Sequence, residues 1–345
     1  MSATAQSTCV SESQGSAILR KPIPVLRGMQ VLGGLAPERT AVTINVVTVF
    51  GGSGFLGRHV VERLRGREFS VRIASRHPER SRRLLGTDDP RLQSIEGDVR
   101  NERSVAAAIA GAHAVINSVS LYVERGGATF HCVHVESARR VAAQAQRAEI
   151  KHLIHVSGIG SSTGSRSLYI RKRGEGELAV RAAFPNSIII RPAVMFGPDD
   201  GFLTVMVGLL RRLPIYPMFG SGLTRLQPAH VEDVAEAIVR ALQQTVSTST
   251  ATLECGGPGI YTYEQLLRLI ARKAGLKPIL IPVPFVVWQA LAWSAEMMPS
   301  PPITRNQVEL MQIDTVTSPE MPGLRDLGIT PRAVEETLQE ILRLH

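Results

Sequence analysis

The sequence predicts an α/β fold in which a doubly wound parallel sheet is followed by a smaller C-terminal α/β lid region. Three observations carry that expectation. Short apolar, β-branched runs alternate with helical spacers of about 10–15 residues, the pattern of repeated βαβ units. The first run leads directly into a glycine-rich turn that opens an amphipathic segment. The chain has 345 residues, 44% hydrophobic and 20% charged, close to globular norms and long enough to bury a sizeable core. A disordered tail protein, a collagen-like fibre and a coiled coil are thereby excluded, and no repeat of solenoid period is visible.

Residues 44–50 (INVVTVF) form a short apolar β-branched run, hence a buried strand. Residues 55–66 read as an amphipathic helix, 70–75 (SVRIAS) as a second strand and LQSIEGDV as a third. A helix over 104–110, a strand over 113–119 and a long helix over 130–148 follow. Next come a strand over 151–157, a helix over 169–183 and a strand over 186–191. Beyond Pro192 proline and glycine interrupt the pattern, leaving amphipathic helices over 229–243, 262–274 and 331–344. Residues 1–43 are rich in Ser, Thr and Ala and are expected to be a flexible or targeting N-terminal extension. The organised chain then divides into a nucleotide-binding domain, 44–190, and a smaller substrate- or partner-binding region, 191–345, with some chain returning to the sheet.

The apolar stretch Ile279–Ala295 is shorter than the roughly 20 residues needed to cross a bilayer. Its expected form is a buried helix, with docking on a membrane or a partner as the alternative. Lys+Arg is 39 against 30 Asp+Glu, a net charge of +9. A solvated, Arg-rich surface accounts for that, attraction to phosphate being the sharper reading. Nucleic acid is not an expected partner, because aromatics are only 5% and no recognition signature is present. Cys9, Cys132 and Cys255 are too widely spaced for a disulfide framework or a zinc site, so no metal is expected and a reducing compartment is favoured.

The strongest local motif is Gly51-Gly52-Ser53-Gly54-Phe55-Leu56-Gly57, set between VVTVF and RHVVERL. Gly51 permits a tight turn. Gly54 lets the backbone approach a pyrophosphate, and Gly57 lets the helix sit close to the strand. The pyrophosphate would lie on the helix N-terminus, facing free N–H groups and the positive dipole end. This is a Rossmann-type dinucleotide site. An NAD site usually carries Asp or Glu after the second strand, on the ribose 2′-hydroxyl. This chain has Ser75-Arg76 there, and a guanidinium attracts a 2′-phosphate, so NADP(H) is favoured and NAD(H) is the alternative. Asp98-Val99, after the third strand, offers a carboxylate to the adenine amino group.

At these residues the chain resembles the extended and atypical short-chain dehydrogenase/reductase superfamily, over roughly residues 44–275. VFGGSGFLG, EGDVR, HVSGIG, the Tyr169 segment and IIIRPAVMFGP fall in that family's order. More narrowly it resembles the branch containing the nucleotide-binding accessory subunit of respiratory complex I and its bacterial relatives. VTVFGGSGFLGRHVV, AVINSVSLY, YIRKRGEGE, FPNSIIIRPAVMFGPDDGF and LQPAHVEDVAEAI carry that match. The resemblance implies an NADP(H)-binding protein, structural or weakly active, attached to a membrane-bound respiratory or quinone-handling complex. The alternative it implies is an active NADP(H)-dependent reductase or epimerase acting on a small carbonyl or nucleotide sugar. By the same resemblance the protein would sit in a bacterial cytoplasm, peripheral at the inner membrane, or on the mitochondrial matrix side.

The superfamily's active site is a Ser or Thr, a Tyr, and a Lys four residues after the Tyr; that spacing puts Tyr and Lys on one helix face. Carried over, Tyr169 is the candidate acid–base residue, Ser157 its hydroxyl partner, Asn117 and Ser118 line the ribose and nicotinamide side, and Arg191-Pro192 closes the cofactor site. The position of the Lys is held by Arg173. A guanidinium supplies charge and donors but cannot release a proton, so whether the chain is an enzyme stays open at this point. Lys172, one residue earlier, is the other cation near that face.

Overall fold

The structure, a computed structural model, describes residues 45–86, 89–243, 251–298 and 301–344. The expected extension over 1–43 lies outside the described residues. The first six strands are β1 (Val46–Phe50), β2 (Ser70–Ser75), β3 (Leu92–Glu96), β4 (Ala114–Asn117), β5 (His152–Val156) and β6 (Ile188–Pro192). Between them run α1 (Phe55–Arg65), α2 (Pro78–Leu85), α3 (Glu102–Ile109), α4 (Ala138–Arg147) and α5 (Leu168–Ala183). The chain continues through β7 (Met195–Phe196), α6 (Leu203–Arg212), β8 (Ile215–Phe219), β9 (Arg225–Leu226), β10 (Ala229–His230) and α7 (Val231–Gln243). Last come β11 (Thr252–Cys255), β12 (Tyr261–Thr262), α8 (Tyr263–Lys273), β13 (Ile279–Val283), α9 (Phe285–Ala295), α10 (Arg305–Leu310) and α11 (Val334–Leu344).

The central sheet has seven strands in the order β3-β2-β1-β4-β5-β6-β11, and every pairing is parallel. Both faces are covered, which is why the strands read as continuous apolar runs. Alternate residues still choose sides. Val47, Val49, Ile116, Ile154 and Ile190 pack with Val60, Leu64, Val234 and Ile238 of α1 and α7. Phe50, Val115, Leu153 and Ile189 pack on the other face with Val105, Val141 and Val180 of α3, α4 and α5. Each such side chain contributes about 1.5–3 kcal/mol on burial. A separate apolar cluster joins α6, β8, α8 and α11 through Met206, Tyr216, Tyr263, Leu266 and Leu338.

Chain order reverses between β1 and β4, so their carboxyl ends open a crevice, the place where doubly wound sheets bind ligands. The long helix expected over 130–148 is present, but its first part, His131–Ser137, is π-helical and only then becomes α4. Its backbone meets α5 so closely that a Cβ on Gly176 would lie 2.0 Å from the His134 carbonyl oxygen. Ile279–Ala295 is not one buried helix. Its first five residues are β13, paired in parallel with β8, and α9 buries only Ala292. The run lacks an inside and an outside that composition could reveal, and Pro282 and Pro284 sit within and just after the strand.

Candidate functional site

The glycine loop turns between β1 and α1 at the crevice. Gly51 has φ +79°, the left-handed region that glycine enters without strain. A Cβ on Gly57 would lie 2.1 Å from the Gly51 carbonyl oxygen, so only glycine lets the helix start this close to the strand. Gly54 is the N-cap of α1, no side chain caps the helix, and its first turn holds no acidic residue. Main-chain N–H groups and the positive dipole end therefore face the crevice, an arrangement suited to an anion. Phe55 is half-buried, Leu56 is buried, and Gly52 and Ser53 complete the turn.

At the end of β2, the Ser75 hydroxyl lies 3.2 Å from that of Ser81, and the Arg76 side chain is exposed, in no hydrogen bond or ion pair among the described residues. Asp98, the carboxylate offered to adenine, pairs with Arg100, whose Nη2 donates to Oδ2 at 2.7 Å. That hydrogen bond, together with the charge of nearby Arg76, holds the Asp98 carboxyl below its ordinary value against the effect of burial. Val99 is buried in the apolar cluster and its carbonyl accepts from Arg140 at 3.0 Å.

Beyond the switch point, the Ser118 hydroxyl donates to the Phe50 carbonyl at 2.8 Å, tying β4 to the start of the loop. Asn117 is buried, with its amide nitrogen 3.3 Å from Nδ1 of His155. Ser157 is buried at the end of β5; its hydroxyl pairs with that of Ser161 at 3.0 Å. Pro192 closes β6 opposite Cys255. Arg191 beside it does not reach the crevice with a free guanidinium: it bridges Glu177 at 2.6 Å and Glu254 at 3.4 Å, fastening α5, β6 and β11.

Tyr169 and Arg173 meet on one face of α5, as the spacing of four requires. Arg173 Nη1 donates to the Tyr169 hydroxyl at 2.5 Å and Nη2 donates to the Ser157 carbonyl at 2.8 Å. Its Nε is buried without a partner among the described residues. Lys172 points elsewhere and pairs with Glu175 at 2.7 Å. Tyr169 is only 5% exposed. Its ring stacks on Tyr122 at 5.7 Å and meets Phe130 and His134 edge-on, both at 5.4 Å. Leu121, Leu310 and Ile313 pack around this cluster, and Asn306 of α10 donates to the Tyr122 carbonyl at 3.1 Å. Burial pushes the Tyr169 hydroxyl above its ordinary value despite the cation beside it. It therefore keeps its proton at neutral pH.

The sequence reading missed this cage and the two histidines around it. The π-helical turn carries His134, whose Nε2 lies 3.0 Å from the Leu121 carbonyl. Only HVSGIG and the strand pattern marked His155, and neither said what it would touch. Burial, and then the charge of Arg173, hold both imidazoles neutral, down to about 3. Folded-state values below the unfolded one mean that the native state binds fewer protons, so stability is full above the unfolded value near 6.5 and is lost as pH falls toward 3. Each histidine should lower stability by up to about 1.4 kcal/mol per pH unit. Urea midpoints from pH 7 to 5, with His155→Asn flattening the slope, check this; an unchanged slope would refute it.

The glycine cradle, the exposed Arg76 and the orphaned Arg173 Nε fit a dinucleotide: main-chain donors for its diphosphate, a cation for a 2′-phosphate and a donor for a hydroxyl or amide. Arg173 holds the Tyr169 oxygen, Ser157 anchors Arg173, and the cage excludes water from the tyrosine ring. When bound, the nicotinamide would supply hydride chemistry.

Comparison with known proteins agrees on a nicotinamide dinucleotide, without choosing between NAD(H) and NADP(H). A family model described as NAD(P)H-binding matches residues 51–245. The mitochondrial NADH dehydrogenase [ubiquinone] 1 alpha subcomplex subunit 9 of Arabidopsis thaliana is 32% identical, covering 86% of this chain and 77% of that protein. A ceramide reductase of Caulobacter vibrioides is 32% identical over 69% of this chain and 74% of that one. Among solved structures, a dTDP-glucose 4,6-dehydratase of Streptomyces venezuelae with NAD bound superposes with a TM-score of 0.66 at 19% identity, over 87% of this chain and 96% of that one, a likeness of fold.

Proposed function

The chain belongs to the NAD(P)H-binding family, in the short-chain dehydrogenase/reductase branch that includes the subunit 9 relatives, and on that premise we propose that it holds NADP(H) as a structural component of a respiratory complex of the complex I type or of ubiquinone metabolism. The observation that carries this is the caged tyrosine. Protein atoms alone leave Tyr169 5% exposed, and its oxygen is held by a guanidinium that never deprotonates. A proton relay to a substrate needs the opposite, an open approach to the tyrosine oxygen. The resemblance to mitochondrial subunits supports a place on the cytoplasmic face of a bacterial inner membrane, or on the matrix side in a eukaryote.

The test is mass spectrometry of nucleotide carried through purification, followed by addition of quinones, carbonyls and nucleotide sugars. Retained NADP(H) with no oxidation supports the proposal, as does migration with a large complex on native gels. Steady turnover would overturn it. Preference for NADP(H) rests on Arg76. Charge-assisted hydrogen bonds are worth about 1.5–3 kcal/mol, so Arg76→Ala should weaken NADPH about 10–100-fold and leave NADH nearly unchanged. Equal losses would show that no 2′-phosphate is read there.

A second reading, an active reductase, is favoured by the 32% identity to the ceramide reductase and by the retained Tyr169. Single-turnover loss of NADPH absorbance with a carbonyl compound, abolished in Tyr169→Phe, would establish it.

A further inference from the structure

We propose that the outer face of β8, β13 and α9 docks on an anionic lipid bilayer. This surface contains none of the loop residues that would hold the nucleotide, and the proposal stands or falls apart from them. β8 and β13 pair with Ile215 opposite Ile279, Pro217 opposite Ile281 and Phe219 opposite Val283. Side chains alternate across a strand, and Tyr216 and Met218 point into the core. The other face of the pair is therefore apolar throughout, with Ile279 61% exposed.

α9 extends this face. Trp288 stacks on Phe219 at 4.4 Å and its Nε1 donates to the Met218 carbonyl at 3.0 Å, which seats the helix at the carboxyl end of β8. FVVWQALAWSA carries no charged side chain. Val286 is 74% exposed, Trp293 61% and Met297, just past the helix, 80%. A helix apolar all round is normally covered, and an apolar surface this continuous marks an interaction site. At about 1.5 Å per residue the helix is too short to cross a hydrocarbon core of roughly 30 Å, so insertion is shallow.

Charge selects the occupant. The amino ends of the two strands follow Arg211 and Arg212 on one side and Arg272, Lys273 and Lys277 on the other, all exposed. None of these five is in an ion pair among the described residues. Unpaired cations bordering an apolar face match the two layers of an anionic membrane surface: headgroups for the charges, acyl chains for the helix.

The experiment uses the full chain with vesicles of phosphatidylcholine, with and without phosphatidylglycerol. The two tryptophans of the chain, Trp288 and Trp293, are both in α9, so emission reports on this surface alone. Expected are a blue shift and co-sedimentation with the anionic vesicles, weakened by salt. Each charge near an anionic surface is worth about fivefold in partition, so Arg212→Ser, Lys273→Ser and Lys277→Ser together should cost about a hundredfold. Val286→Glu with Leu291→Glu should abolish the shift, and NADPH affinity should be unchanged in every variant. Unshifted emission, or equal binding to neutral and anionic vesicles, overturns the proposal. So does a protein that ignores protein-free vesicles yet migrates with membrane proteins, which would make the occupant a protein.

Discussion

Gly57→Ala is expected to lower NADPH affinity about 10–100-fold. The added methyl would lie 2.1 Å from the Gly51 carbonyl oxygen and 2.8 Å from the Gly52 Cα, and neither is the far end of a flexible side chain. The loop must move away from the helix start, and overpacking of this kind costs about 1–3 kcal/mol. The displaced groups are the ones that would bind the diphosphate, so affinity falls together with stability. Isothermal titration of the folded variant separates the two. A variant that melts as the parent does and binds NADPH equally well would remove the loop from the site, and with it the cofactor reading.

Arg173→Ala is expected to lower stability by about 3 kcal/mol or more and to loosen the nucleotide as well. The guanidinium is buried and donates to the Tyr169 hydroxyl and to the Ser157 carbonyl. Its loss strands the Ser157 carbonyl, leaves the Tyr169 hydroxyl with Ser120 as its partner, and opens a cavity beside the tyrosine ring, together about 3 kcal/mol or more. Arg173→Lys should recover part of this, because an ammonium can reach one of the two acceptors but not grip both. Urea midpoints measure the stability, and nucleotide retained through gel filtration measures the site. If Arg173→Ala unfolds at the parental midpoint, the guanidinium does not organise the end of α5. If Arg173→Lys gains turnover with a carbonyl compound, the arginine is what keeps the tyrosine idle.

Much of this architecture was legible in the sequence because its signals are local. VVTVF, the glycines three apart and RHVVERL are strand, turn and helix within about twenty residues, and the structure has them as β1, loop and α1. The strand that returns to the sheet edge, β11, is four residues long and no local pattern of the second half marks it. α2 leaves no apolar period in the sequence, because PERSRRLL is highly charged and buries only Ser81 and Leu85. The apolar run at 279–295 carries no sign of its surface position, because an unbroken apolar stretch has the same composition in a core and on a surface.

The side-chain environments follow the same division. The sequence by itself determined that Tyr169 and Arg173 would share a helix face, since a spacing of four residues is helical geometry and nothing more. It determined the cradle, since only glycine enters the left-handed turn at Gly51 without strain and only glycine lacks the Cβ that Gly57 has no room for. Only the tertiary structure decided what those groups can do. Tyr122, Phe130 and Leu310 close over the tyrosine, Arg100 claims Asp98, and Glu177 and Glu254 claim Arg191. Several of these partners lie tens of residues or more from the residue they engage, and contacts of that kind are set by packing of the whole chain. Burial, and the protonation it imposes on Tyr169, His134 and His155, depends on how many atoms displace water from a group, which no local run of residues encodes.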